Sequence, residues 1–358
     1  MTVIVEAQDL GKHYPVGGNL LQKGTSLKAV DGVNLKVHAG ETFAIVGESG
    51  CGKSTLARLL MRLMLPTSGE VIFEGRAIAK LKGAEVRALR KDLQFIFQDP
   101  FSSLNPRMTV AQLIAEPLEI HRPNLTAGER RKEVGRLLAE VGLRPSHMDR
   151  YPHEFSGGQR QRIGIARALA SDPKVVIADE PVSALDVSVQ AQVVNLMGDL
   201  CDQRGLTLIV IAHDLAVIRH MSDRIAVMYL GRVVETGPTD EVFANPRHPY
   251  TRALMSAIPV AEFGATQSRQ HLSGEPPSPL APPSGCSFRT RCPFATEICA
   301  QMQPVNETVA PGTEVACHHW RDVSSVSLTI AASATGRSPG AEARFAMYRT
   351  ALANQDSP

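Results

Sequence analysis

Gly47-Glu48-Ser49-Gly50-Cys51-Gly52-Lys53-Ser54 is a complete G-x-x-x-x-G-K-S phosphate loop, and its reading decides the fold. Glycines let successive backbone N–H groups turn inward around phosphates. Lys53 supplies a point charge for the outer phosphates, and Ser54 offers a hydroxyl to Mg²⁺. The flanks agree: Thr42 to Val46 is a short apolar run expected to enter the loop as a buried strand, and Thr55 to Leu65 spaces its apolar residues as a helix leaving it. A helix N-terminus then points its partial positive charge at the phosphates, so this order fits a nucleoside triphosphate better than an incidental glycine turn.

With 358 residues, the chain suits one large domain plus an appendage, or two domains. Its 38 Lys+Arg against 36 Asp+Glu leave a net charge of +2, which makes no broad electrostatic case for nucleic acid. No apolar run approaches the roughly eighteen residues that span a bilayer. Met1 to Leu10 carries Glu6 and Asp9 where a secretory signal would be basic and then apolar, so the expected location is the cytosol.

Outward from the loop, Val3 to Ala7 reads as a strand and Gly11 to Pro15 as a turn, with Tyr14 an aromatic that could stack on a base or simply fill a packing gap. Val33, Leu35 and Val37 alternate with polar residues as a half-buried strand does, and Val71 to Phe73 reads as another strand. Leu93 to Phe97 is strand-like and delivers Gln98 to a loop. Between about Phe101 and Leu169 helical spacing takes over, exemplified by Val134, Leu137, Leu138 and Val141, which predicts a helical insertion. Within it Ser156-Gly157-Gly158-Gln159 sits where a helix begins, either as an ordinary cap or as a second anion site.

Val175 to Ala178 is a continuous apolar run, expected in a parallel strand buried on both faces, and it ends in Asp179-Glu180. Carboxylates at the C-terminal end of such a strand lie where open α/β sheets bind ligands. Asp179 suits the Mg²⁺ shell and Glu180 suits a base that takes a proton from attacking water. Ser183-Ala184-Leu185-Asp186 follows. Leu206 to Ala212 forms a further buried strand ending in His213, which is placed to touch a γ-phosphate.

The phosphate loop, Gln98, Ser156 to Gln159, Asp179-Glu180, Ser183 to Asp186 and His213 occur in the order of ABC transporter ATPase subunits, and the chain resembles that family from about Val3 to Thr236. The resemblance implies an α/β P-loop NTPase fold with a RecA-like core, an antiparallel β subdomain and a helical subdomain. It implies that residues 47–54 with Thr55 are the Walker A loop, Gln98 the Q-loop glutamine, Ser156 to Gln159 the signature, Asp179 the Walker B aspartate, Glu180 the catalytic glutamate, Asp186 part of the D-loop and His213 the switch histidine. Tyr14 falls at the adenine-stacking position. A departure is Phe155 before the signature serine, where the family often has Leu.

Asn105 to Arg107, Ala178 to Gln190, Met228 to Gly231 and Asn245 to Thr251 are similar to the dipeptide/oligopeptide importer ATPases, with the second ATPase of dipeptide permeases nearest. That likeness implies ATP and Mg²⁺ as ligands and hydrolysis at interfaces with a second, homologous ATPase, giving a heterodimer. It also implies two integral-membrane permease subunits, an indirect link to an extracytoplasmic solute-binding protein, no nucleic acid, and a place at the cytoplasmic face of the inner membrane. Glutathione or nickel importers, a soluble ABC ATPase of translation or repair, and an ATP-dependent regulator stand as alternatives. A single cassette without a long coiled-coil insertion weighs against the soluble classes.

The ATPase domain is expected over residues 1–245, an importer-type C-terminal region over 246–320, and a flexible tail over 321–358. Ser273 to Gly285, rich in Pro, reads as a semi-rigid linker. Of six cysteines, Cys286, Cys292, Cys299 and Cys317 follow it, separated by five, six and seventeen residues. These spacings lack the close pairs of a zinc ribbon, and disulfides are not expected in the cytosol. The tail of the importer family is similar to a [4Fe–4S] binding region, and the resemblance implies such a cluster on these four cysteines, with zinc or uncommitted thiols as alternatives.

Overall fold

The computed structural model describes residues 2–17, 25–257 and 275–325. Its strands in chain order are β1 (Val3–Val16), β2 (Thr25–His38), β3 (Thr42–Val46), β4 (Ser68–Phe73), β5 (Arg76–Ala77), β6 (Leu93–Ile96), β7 (Val175–Asp179), β8 (Thr207–Ala212), β9 (Arg224–Tyr229), β10 (Arg232–Pro238), β11 (Glu307–Ala310) and β12 (Thr313–Val315). Among the described residues they form an antiparallel sheet of order β2-β1-β4-β5 and a larger sheet of order β11-β12-β10-β9-β3-β8-β7-β6. In the larger sheet β9, β3, β8, β7 and β6 run parallel.

Every residue of β3, β7 and β8 is buried, which is why these strands read as unbroken apolar runs. Successive side chains enter opposite cores. Ala44, Val46, Val176, Ala178, Leu208 and Val210 pack toward the helical insertion, while Phe43, Ile45, Val175, Ile177, Ile209 and Ile211 pack toward the antiparallel sheet and the helix Lys53–Leu60. The larger sheet is therefore the middle layer of an α/β sandwich.

Helices Val110–His121, Ala127–Glu140 and Gly157–Leu169 make up the insertion expected over residues 101–169. The first two open on capping boxes, Thr109 with Gln112 and Thr126 with Glu129. Val134, Leu137, Leu138 and Val141 are all buried in one core, as their spacing predicts.

Three local expectations change. Gly11 to Pro15 is part of β1 rather than a turn, with Tyr14 paired to Leu27, because long-range pairing through register shifts overrides the local Gly and Pro signals. The helix after the phosphate loop stops at Leu60, since Arg62 adopts a left-handed backbone (φ 52°) and leaves Leu63 and Leu65 exposed. The boundary near residue 245 is not a break in packing: β12 pairs with β10, so the C-terminal region extends the main sheet, and Phe288 joins the main core. Of the Pro-rich stretch, residues 275–285 are described, and Glu275 to Pro279 line a cavity together with Glu48 to Cys51. Residues 326–358, most of the expected tail, lie outside the described residues.

Candidate active site

Four adjacent parallel strands deliver their C-terminal ends to one edge of the sheet. β3 runs into the phosphate loop, β8 ends at His213, β7 carries Asp179 and Glu180, and β6 leads to Gln98. Residues up to 166 positions apart, from Gly47 to His213, thus converge where the sheet leaves a crevice. There a cleft of ≈ 400 Å³ is lined by Tyr14, Lys28, Ser49 to Thr55, Gln98, Glu180, Gly231 and Pro279, among others.

The loop is held from inside. Lys53 is buried and donates from Nζ to the Gly47 and Glu48 carbonyls at 2.7 and 2.9 Å. Gly52 precedes the helix with φ 105°, and a Cβ there would stand 2.0 Å from the Ala29 carbonyl oxygen, so only glycine fits. Cys51 is buried within the loop, and burial pushes its thiol up, so it packs as a neutral side chain.

Ser54 Oγ donates to Asp179 Oδ1 at 3.1 Å. Burial, followed by the charge of Glu180, raises the Asp179 carboxyl against that hydrogen bond. A buried carboxylate beside a hydroxyl at the mouth of a phosphate loop fits Mg²⁺, whose charge would relieve the cost of burial. Gln98 Nε2 donates to Glu180 Oε2 at 3.0 Å, and His213 Nδ1 stands 3.4 Å from the same oxygen. Glu180 itself has a left-handed backbone (φ 46°), a strain of about 1–3 kcal/mol for a non-glycine residue. Its N–H donates to the Ile211 carbonyl at 2.8 Å, and its carbonyl accepts from Ser183 Oγ at 3.1 Å, which hold it there. The strain aims its carboxylate between Gln98 and His213.

Tyr14 lines the cleft from β1, its hydroxyl 3.4 Å from Met64 Sδ. Ser156, Gly157, Gly158 and Gln159 do not line it. Ser156 caps the helix Gly157–Leu169 with Gln159 in a capping box, and a Cβ at Gly158 would meet Val189 at 2.3 Å. Asp186 likewise stands apart, at the start of the helix Val187–Arg204. The candidate residues therefore separate into a phosphate-loop cleft and a second surface formed by the signature and the segment after Glu180.

Sequence reading missed Arg291 and Tyr250. Arg291 donates from Nη1 and Nη2 to the two carboxylate oxygens of Glu48 at 2.8 and 3.0 Å, and the Glu48 N–H donates to the Tyr250 hydroxyl at 2.8 Å. With the partners 202 and 243 positions apart in sequence, no local pattern could have announced these contacts.

The four cysteines lie in one small unit. Burial first, then the neighbouring thiols, push Cys292 to about 11 and Cys317 to about 12, and Cys286 is raised for the same reasons. Among the described residues no group of three or more His, Cys, Asp or Glu side chains is placed to hold a metal ion. The iron–sulfur expectation thus gains no geometric support. Cys286 and Cys292 rest against the main core and Cys299 is buried.

Residues 30–183 match the ABC transporter family, and residues 234–299 match the oligopeptide/dipeptide transporter C-terminal region. The chain is 54% identical over 310 residues to the oligopeptide transport ATP-binding protein OppF of Escherichia coli, covering 85% of this chain and 93% of that one. It is 51% identical over 319 residues to the dipeptide transport ATP-binding protein DppF of Haemophilus influenzae, covering 89% and 97%. Among solved structures, it is similar to a dimeric post-hydrolysis state of the ATP-binding cassette MJ0796 bound to ADP and Pi. That likeness has a TM-score of 0.59 and 31% identity over 66% of this chain and 99% of the other.

Proposed function

The chain belongs to the ABC transporter ATP-binding proteins that carry the oligopeptide/dipeptide C-terminal region, and from that premise we propose that it binds and hydrolyses ATP to power import of dipeptides or oligopeptides. The observation that carries this reading is the convergence of the phosphate loop, Ser54–Asp179 and the Gln98–Glu180–His213 group on one sheet edge.

In this reading Gly47 to Thr55 cradle the phosphates, with Lys53 leaving its loop carbonyls for the outer phosphate oxygens. Ser54, Asp179 and Gln98 would hold Mg²⁺, which supplies charge neutralisation when bound. Glu180 takes the proton of the attacking water, His213 touches the γ-phosphate, and Tyr14 stacks on the adenine. Ser156 to Gln159 and Asp186 lie outside the lining of the chain's own cleft, which supports a composite site in which they complete the partner's nucleotide. The dimeric solved relative supports the same arrangement. The partner is proposed to be a second, homologous ATPase.

Among the described residues no helix is long and apolar enough to cross a membrane, so contact with the bilayer passes through partners. We place the chain at the cytoplasmic face of the inner membrane against two permease subunits, with the solute-binding protein linked only through them. A groove lined by Leu63, Phe95, Phe97, Pro117, Ile120 and Arg167, with Leu63, Phe97 and Ile120 exposed, is the proposed seat of a permease helix. It adjoins Gln98, so nucleotide state and transport share one segment. Similar identities to oligopeptide and dipeptide ATPases leave the solute to experiment. In a strain lacking the gene, restoring it should restore uptake across a peptide panel, and the tagged chain should co-purify with integral-membrane subunits. A chain that purifies alone from the soluble fraction and leaves peptide uptake unchanged points to a soluble ABC ATPase, whereas rescue of glutathione or nickel uptake alone reassigns the solute.

A [4Fe–4S] cluster on Cys286, Cys292, Cys299 and Cys317 rests on the four-thiol donor set and the family resemblance rather than on geometry. Anaerobic purification should yield a brown chain with about four irons. A colourless, iron-free and fully active preparation ends the cluster reading.

A further inference from the structure

The phosphate loop is gripped from outside by the C-terminal region. Arg291 is buried, and its guanidinium forms a two-pronged pair with Glu48, the second residue of the loop. The Glu48 N–H is taken by the hydroxyl of Tyr250, a fully buried side chain from the helix Pro249–Ser256. Tyr229, Tyr250 and Phe288 pack ring to ring at 4.7 to 5.5 Å and fix the wall in which Arg291 sits. Both ends of Glu48 are thus spoken for by residues more than 200 positions away.

Glu48 belongs to the phosphate loop but lies just outside the lining of the cleft, so its carboxylate, if unpaired, would set a negative charge behind the phosphate-binding backbone, and like charges in a partly desolvated region repel. Pairing with Arg291 removes that repulsion, and the hydrogen bond to Tyr250 fixes the orientation of the loop at its first turn. We propose that Arg291 is a positioning residue for ATP: the C-terminal region neutralises and aims the phosphate loop through Glu48. This rests on the ATP-binding reading above. It also gives the C-terminal region a task in the nucleotide site, carried by the residue directly before Cys292.

The test uses the full-length chain in the assembled transporter, with KM and kcat for Mg-ATP measured beside ATP binding to the full-length chain. Arg291→Gln should raise KM for ATP about tenfold, the order of one like-charge interaction across a partly screened site, while kcat changes less than about twofold. Added salt should shrink the defect, since it screens the unpaired, partly exposed carboxylate. Glu48→Gln in the Arg291→Gln background should bring KM back toward wild type, a rescue that lost packing would not produce. If Arg291→Gln leaves KM unchanged, or if the double variant is no better than Arg291→Gln, the positioning role is wrong. Failure of the wild-type chain to bind ATP would instead overturn the ATP-binding reading itself.

Discussion

Replacing Glu180 by Gln stops ATP turnover and leaves ATP bound. The substitution keeps the size of the side chain and its contacts with Gln98 and His213, so the cleft survives, but it removes the group able to accept a proton from water. General base catalysis contributes about 10²–10⁴-fold, and a loss at the upper end is expected because no other carboxylate lines the cleft among the described residues. Asp179, the neighbouring carboxylate, is engaged by Ser54 and is assigned to Mg²⁺. Because hydrolysis is the step that reopens the proposed dimer, the variant should accumulate ATP-bound dimers, visible by size-exclusion chromatography with Mg-ATP. Undiminished phosphate release by Glu180→Gln would remove Glu180 from its role.

Gly52→Ala should be nearly as damaging, through the backbone rather than the chemistry. With φ at 105° and the Ala29 carbonyl oxygen 2.0 Å from the new methyl, the loop must shift. Left-handed strain alone amounts to about 1–2 kcal/mol, and a backbone oxygen cannot move aside as a side-chain tip would. Affinity for ATP should therefore fall by at least about thirtyfold in equilibrium titration with a fluorescent ATP analogue. Gly164→Ala is the matched control. It lies within the helix Gly157–Leu169, and apart from its chain neighbours and the helix's own backbone no heavy atom among the described residues comes within 4 Å of the new methyl, so it should bind ATP normally and melt slightly higher. Wild-type affinity in Gly52→Ala would show that the loop tolerates a side chain and that its glycine is incidental.

Much of this architecture was legible before any coordinates. β3, β7 and β8 announced themselves because strands buried on both faces must be apolar throughout, and the helical insertion because Val134, Leu137, Leu138 and Val141 share one face. The errors are equally physical. Gly11 to Pro15 looked like a turn because its residues favour turns locally, whereas pairing with β2 kept it extended. The helix after the loop looked longer than it is because its apolar spacing runs on past Leu60, although the backbone turns at Arg62.

From sequence alone came the phosphate loop, the carboxylates Asp179 and Glu180, His213, the signature and the family they resemble. Each is written in a contiguous motif whose chemistry depends on residue type and short spacing. Only the tertiary structure decided that Gln98, Glu180 and His213 meet at one oxygen, that Ser156 to Gln159 lie outside the lining of the cleft, and that among the described residues the cysteines form no group placed to hold a metal ion. It alone joined Arg291 and Tyr250 to Glu48. Such contacts depend on strand order and on how chain segments far apart in sequence fold back onto one sheet edge, and local spacing does not encode that.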